Sequence, residues 1–183
     1  TNSAGTGSAS SASNSVTPQA EQTITFSHPG VQSFGTTPTL TASASSSLTP
    51  SFTSSTTGVC TITNGGALSF VTTGTCTVNA NQAGNSAYLP AAQVSQSFSV
   101  NAVVAGAPLI GTATAGDTQA SVSFTAPAST GGAAITAYTV TSSPGSLTAS
   151  GVVSPLTVMG LSNGITYSFS VTATNSAGTG SAS

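Results

Sequence analysis

Not one Lys or Arg occurs in the 183 residues, and the only carboxylate side chains are Glu21 and Asp117. This absence decides the secondary structure before any pattern is sought. The residues that keep helices intact in water, Glu, Lys, Arg, Gln and Met among them, are missing or scarce, so little helix can form. In their place short runs of Thr and Val alternate with Ser, interrupted by Gly, Pro and Asn, a pattern that reads as strands and turns. Disorder is a poor alternative. Hydrophobic residues make up 37% of the chain and the formal charge is only -2, whereas disordered chains combine low hydrophobicity with high net charge. The expected class is all-β.

The same absence removes whole classes of function. Without cations there is nothing to displace counterions from a phosphate backbone, so nucleic acid is excluded as a partner by that route, and anionic membrane surfaces are unattractive for the same reason. No apolar run reaches 18 residues, so no helical membrane insertion is expected. Acid–base catalysis lacks titrating groups. A Ser–His–Asp triad would have to join His28 to Asp117 across the chain, and no Gly-x-Ser-x-Gly elbow is present. Calcium needs several carboxylates among six to eight oxygen ligands, and two distant acids cannot supply them. No catalytic residue, cofactor or metal is expected. His28, in Ser27-His-Pro-Gly, reads as a turn residue. Asp117, in Ala115-Gly-Asp-Thr, reads as a turn in which the carboxylate bonds its own backbone two residues on.

The chain repeats itself. Residues 1–10 and residues 174–183 both read TNSAGTGSAS. With Thr1 in place of an initiator Met, the expectation is one period, with a short overlap, of a longer tandem array. The turn at Asn175-Ser-Ala-Gly-Thr-Gly is followed by residues 181–183, which begin a strand and stop. The matching turn near Thr1 continues as Ser8-Ala9-Ser10-Ser11-Ala12-Ser13-Asn14-Ser15-Val16-Thr17-Pro18. Residues 1–19 are therefore expected to carry the final strand that completes the preceding copy, closing an edge that would otherwise invite pairing.

From residue 20 to 101, candidate strands are Gln22–Phe26, Pro38–Ala44, Pro50–Ser55, Val59–Thr63, Ala67–Thr72, Thr75–Ala80 and Val94–Val100. Seven short strands separated by turns indicate an immunoglobulin-like β-sandwich. The run Phe52-Thr-Ser-Ser-Thr-Thr-Gly-Val-Cys-Thr-Ile, followed by Ala67-Leu-Ser-Phe and Gly74-Thr-Cys-Thr-Val, resembles the bacterial Ig-like repeats of large surface proteins. So does the tail Gln82-Ala-Gly-Asn-Ser-Ala-Tyr-Leu-Pro with Val94-Ser-Gln-Ser-Phe-Ser-Val. Residues 102–107 form a small-residue linker. Beyond it, residues 108–183 carry candidate strands Leu109–Thr114, Ala120–Thr125, Ile135–Thr141, Ser146–Ala149, Leu156–Met159 and Thr166–Thr174. Pro108, Ser121-Val-Ser-Phe-Thr-Ala-Pro, Gly131-Gly with Ile135-Thr-Ala-Tyr-Thr-Val, and Leu161-Ser-Asn-Gly-Ile-Thr-Tyr-Ser-Phe-Ser-Val-Thr-Ala-Thr-Asn resemble a fibronectin type III domain lacking its last strand. Phe124 stands where that family usually has Trp. The architecture expected is two tandem β-sandwiches, the second completed by a strand from a neighbouring repeat.

What the resemblance implies is modular and extracellular. Cys60 and Cys76 would pair as a disulfide in such a setting; two free buried thiols are the other reading, and a zinc site lacks ligands. Leu161 and Tyr167 would form the tyrosine corner, with the phenol bonded to upstream backbone. Tyr138 has a core explanation, and Tyr88 reads as core or turn packing, with sugar binding the less supported alternative. Finally, a surface bare of charge lacks the usual protection against edge-to-edge pairing. These readings converge on a structural repeat of an extracellular bacterial filament or cell-surface fibre, whose partners are neighbouring copies of the same repeat. The alternatives are a ligand-binding adhesin module, whose surface glycan or host ligand is unknown, and a spacer in a secreted polysaccharide-degrading enzyme.

Overall fold

The computed structural model describes residues 5–6 and 16–183. Among them every regular element is a strand. In the first half these are β1 (Ile24–Phe26), β2 (Gln32–Ser33), β3 (Ala42–Ala44), β4 (Ser51–Ser54), β5 (Cys60–Ile62), β6 (Leu68–Phe70), β7 (Gly74–Asn81) and β8 (Val94–Asn101). One layer holds the antiparallel pair β1–β3 and the hairpin β5–β6. A bridge between Thr39 and Ala67 ties them together, as Leu40 N donates to Gly66 O at 2.8 Å and Leu68 N to Pro38 O at 2.9 Å. The other layer runs β2-β8-β7-β4, with β2 parallel to β8 and the remaining pairs antiparallel. The chain thus changes layers between β1 and β2, at Ser27-His-Pro-Gly.

Strand β2 was not among the expected elements. It is two residues long and bracketed by Gly30 and Gly35, so it is too short to show alternation and its flanks read as turn. The other strands fall within a few residues of their expected positions. The reason is visible in β7, where Cys76, Val78 and Ala80 are fully buried and alternate with more exposed neighbours, the period that a half-buried strand imposes. Phe98 and Val100 of β8 share that buried face. Phe26 and Phe52 meet edge to face, centroids 5.5 Å apart.

The second half comprises β9 (Leu109–Gly116), β10 (Gln119–Thr125), β11 (Ala137–Ser143), β12 (Thr148–Gly151), β13 (Leu156–Met159), β14 (Ser168–Asn175) and β15 (Gly178–Thr179). A three-stranded sheet, β13-β10-β9, faces a four-stranded one, β12-β11-β14-β15, all antiparallel. Val122, Val140, Val158 and Val171 are fully buried between them. Phe124 fills the position expected to be short of a larger aromatic by packing on Tyr138, with ring centroids 4.8 Å apart. Opposite Ser123 the β9–β10 register slips, and its Oγ stands in for backbone by accepting from Thr112 N at 2.8 Å.

The last strand begins earlier than the sequence indicates. It starts at Gly178, and Gly180 N donates to Ala173 O at 2.8 Å and Ser183 N to Val171 O at 3.0 Å. Residues 1–4 and 7–15, and with them most of the expected inter-repeat strand Ser8–Pro18, lie outside the described residues; Val16, Thr17 and Pro18 are exposed and belong to no strand.

Candidate functional site: an open sheet edge and an interdomain joint

Strand β14 is paired with β11 over Ser168–Thr174, Ala137 opposite Thr174 through Ser143 opposite Ser168. On its other side β15 pairs with Thr174 and Asn175. The chain then follows β14 only as far as Val171, whose N–H also donates to Ser183 Oγ at 3.0 Å. Because Val171 and Ala173 bond toward this side, strand alternation turns the N–H and C=O of Phe169 toward it as well. Among the described residues nothing pairs with them. Beside this edge a cleft of about 220 Å³ opens between the layers, lined by Ala113 and Ala115 of β9 and by Ile165, Tyr167 and Phe169. It exists because β9 brings only small side chains to this point, so little fills the space between the sheets. Ile165 is left 54% exposed.

The floor of the cleft is a hydrogen-bonded loop. Tyr167 Oη accepts from Ser162 N at 3.0 Å, while Leu161 is buried and its N donates to Thr118 O at 3.0 Å. Asp117 behaves otherwise than the sequence indicates. Its Oδ1 accepts from Asn163 Nδ2 at 2.8 Å, across 46 residues, and does not close a local turn. Asn163 Oδ1 in turn accepts from Thr118 N at 3.1 Å. Two loops close in space compete with the short-range bond, and the longer pairing ties the β9–β10 turn to the tyrosine loop.

The joint between the sandwiches rests on Asn175, which the sequence reading took only as a turn residue. It is 4% exposed. Its Nδ2 donates to Val103 O at 2.8 Å and to Thr130 O at 2.7 Å, and its Oδ1 accepts from Ala177 N at 2.9 Å. A signal was present: Asn175 continues the inward series Val171, Ala173, and a polar residue on a buried face needs partners. The linker is further held by Val103 N to Gly131 O at 3.0 Å and Gly106 N to Ser129 O at 2.9 Å, and Ala105 is buried in the second core. From the first sandwich, Thr73 Oγ1 donates to Gly132 O at 3.1 Å. Gly132 has φ +82°, and a Cβ there would lie 2.5 Å from Phe34 Cγ, so the Phe34 ring packs directly on the glycine.

The remaining candidate residues have structural positions. Cys60 and Cys76 form a disulfide with Cα atoms 5.7 Å apart, both fully buried, linking the β5–β6 hairpin to β7 of the opposite layer. His28 Nδ1 accepts from Gly30 N at 3.0 Å, which places the ring proton on Nε2 to donate to Ser97 O at 2.9 Å. The imidazole therefore staples the layer crossover to β8. Tyr88 is half-buried, and its N donates to Asn85 Oδ1 at 3.0 Å within a turn. No group of three metal-ligating side chains exists among the described residues, and no helix among them is long and apolar enough to cross a membrane.

No curated protein matches the chain. A crystal structure of domains from titin is similar at a TM-score of 0.42 and 17% identity, over 88% of this chain and 63% of that one. A structure of Drosophila N-cadherin gives a TM-score of 0.29 and 15% identity, over 88% of this chain and 48% of that one. The chain thus spans less than two thirds of either. The family comparison is specific to the second half: residues 106–183 match the fibronectin type III domain, and with the sheet order and core described above this part of the chain is a domain of that family.

Proposed function

We propose that the chain is a structural repeat unit of an extracellular bacterial filament or cell-surface fibre, joined end to end through neighbouring copies. The observation that carries this reading is the exact repeat: residues 1–10 and 174–183 are the same ten-residue segment, and its second occurrence pairs along β14 as β15. The segment that follows the first occurrence is then the natural continuation of the second, and adding it would extend the ladder that β15 begins. Strand addition of this kind joins copies through backbone hydrogen bonds. Pulled along the fibre axis, such a strand is loaded in shear.

Other features support the reading. A disulfide in the first sandwich, beside a fibronectin type III domain, fits an oxidising, extracellular setting. A chain with no cations and two acids meets its own copies with almost no repulsion, and there are few charges for salt to screen. Modules of this kind are typically structural or interaction units, and the buried disulfide and bonded His28 serve packing. Analytical ultracentrifugation of the purified chain, with electron microscopy of the same samples, tests the proposal. Concentration-dependent linear particles that form equally in low and high salt are expected. A monomer at every concentration, or assembly abolished by salt, would refute it.

A further inference from the structure

We infer that Asn64 is a site of spontaneous covalent modification, its side-chain amide closing on the Gly65 nitrogen and ending as an aspartyl or isoaspartyl linkage, while Asn163 is protected from the same reaction. This does not depend on how copies join. Asn64 and Asn163 are the two Asn residues of the chain that precede a glycine, whose missing side chain lets its nitrogen approach the neighbouring amide carbon. Both lie exposed in turns, so exposure does not separate them. Their hydrogen bonds do.

Asn64 and Gly65 are the central residues of the β5–β6 turn, which Gly66 N closes by donating to Thr63 O at 2.9 Å, with Ala67 N donating to Thr63 Oγ1 at 3.1 Å. Gly66 follows at φ +91° and is buried, where a Cβ would collide with Leu40 O; a β-turn followed by a positive-φ glycine is a common hairpin loop. The base of the loop is therefore fixed, and only Asn64 and Gly65 project from it. Among the described residues neither the Asn64 amide nor the Gly65 N–H has a hydrogen-bond partner. Asn163, by contrast, is held at both ends of its amide. Its Nδ2 donates to Asp117 Oδ1 at 2.8 Å and its Oδ1 accepts from Thr118 N at 3.1 Å, so it cannot turn toward Gly164 without opening a charge-assisted bond.

At Asn64 the Gly65 nitrogen bonds to Cγ, the Cγ–Nδ2 bond breaks, and ammonia leaves with the proton of the Gly65 N–H. Solvent water then opens the cyclic imide at either carbonyl. The balance is one water in and one ammonia out, with nothing oxidised or reduced. Either opening adds a carboxylate to a chain whose acids are Glu21 and Asp117, and the isoaspartyl opening also inserts a Cβ into the main chain of the turn. On the fibre reading, ageing copies acquire a repulsion that their sequence lacks.

The test incubates the whole folded chain in warm, mildly alkaline buffer and follows each site by mass spectrometry of chymotryptic peptides, with isoaspartyl methyltransferase labelling of the same samples. Synthetic peptides of residues 61–67 and 160–166, which carry the two sequences without the fold, set the reference ratio. Relative to that ratio, Asn64 in the folded chain should convert about tenfold faster than Asn163, the factor set by the hydrogen bonds that Asn163 must first open. Gly65→Ala should nearly abolish conversion at Asn64, because the added Cβ hinders the attacking nitrogen. Asp117→Ala should speed conversion at Asn163 severalfold and leave Asn64 unchanged. A folded chain in which the two sites keep the peptide ratio overturns the inference, as does an Asn64 that stays intact while its peptide converts. An unaltered rate at Asn163 in Asp117→Ala overturns the protection assigned to that carboxylate.

Discussion

Replacing Asn175 by Ala probes the joint at its most demanding point. The side chain is 4% exposed and makes three hydrogen bonds, to Val103 O, Thr130 O and Ala177 N. Each buried polar group left without a partner costs about 1–3 kcal/mol. The Val103 carbonyl sits in a linker that water can reach once the amide is gone, so a total of about 3 kcal/mol is expected. For a domain of this size each kcal/mol moves Tm by about 4–8 °C, which predicts a fall of about 15 °C in the melting of the second sandwich. Differential scanning calorimetry should show that transition moving while the first sandwich melts as before. Asn175→Asp adds a control of sign. Its carboxylate can still accept from Ala177 N, but when ionised it has no proton to give the two carbonyls and confronts them at 2.7–2.8 Å. Burial and those carbonyls raise the introduced group's folded-state pKa. That variant is therefore least stable above the raised value and regains stability as pH falls toward the unfolded carboxyl pKa of about 4. A shift under about 5 °C for Asn175→Ala would refute the reasoning, since it would mean water satisfies both carbonyls.

Three further changes separate the other parts of the structure. Cys60→Ala with Cys76→Ala should lower the stability of the first sandwich by about 3 kcal/mol, the value expected for freeing a loop of this length; urea unfolding with an unchanged midpoint would contradict it. Tyr167→Phe removes the bond to Ser162 N and should cost about 1 kcal/mol, with faster hydrogen exchange at the Ser162 amide as its local mark. Gly132→Val places side-chain atoms on Phe34 and Thr73 in a backbone conformation that β-branched residues avoid. It should loosen the joint, read by small-angle scattering as a larger spread of particle lengths, while the Tm of the first sandwich stays put.

What the sequence made legible was whatever alternation could carry. β7, β8, β10, β11 and β14 each present several inward apolar residues with period two, and their positions follow from that period alone. β2 could not be read, because its two residues are defined by pairing with β8 and not by their own side chains. Asp117 and Asn163 illustrate a second limit. Their bond spans 46 residues, and local turn chemistry gave the nearer partner where tertiary contact supplied the farther one. The open edge was legible only through the repeated segment. The joint was not, since Gly131, Gly132 and Asn175 look like ordinary turn residues until Val103, Thr130 and Phe34 arrive from elsewhere in the chain.

The central proposal is that residues 8–18 of one repeat pair with the β14 edge of a neighbouring repeat. Sedimentation of the full chain beside a variant lacking residues 8–18 tests it most directly. The account predicts that the full chain associates with rising concentration to the same extent in low and high salt, and that the deletion variant, still folded by circular dichroism, stays monomeric. Equal association of the two chains would contradict it.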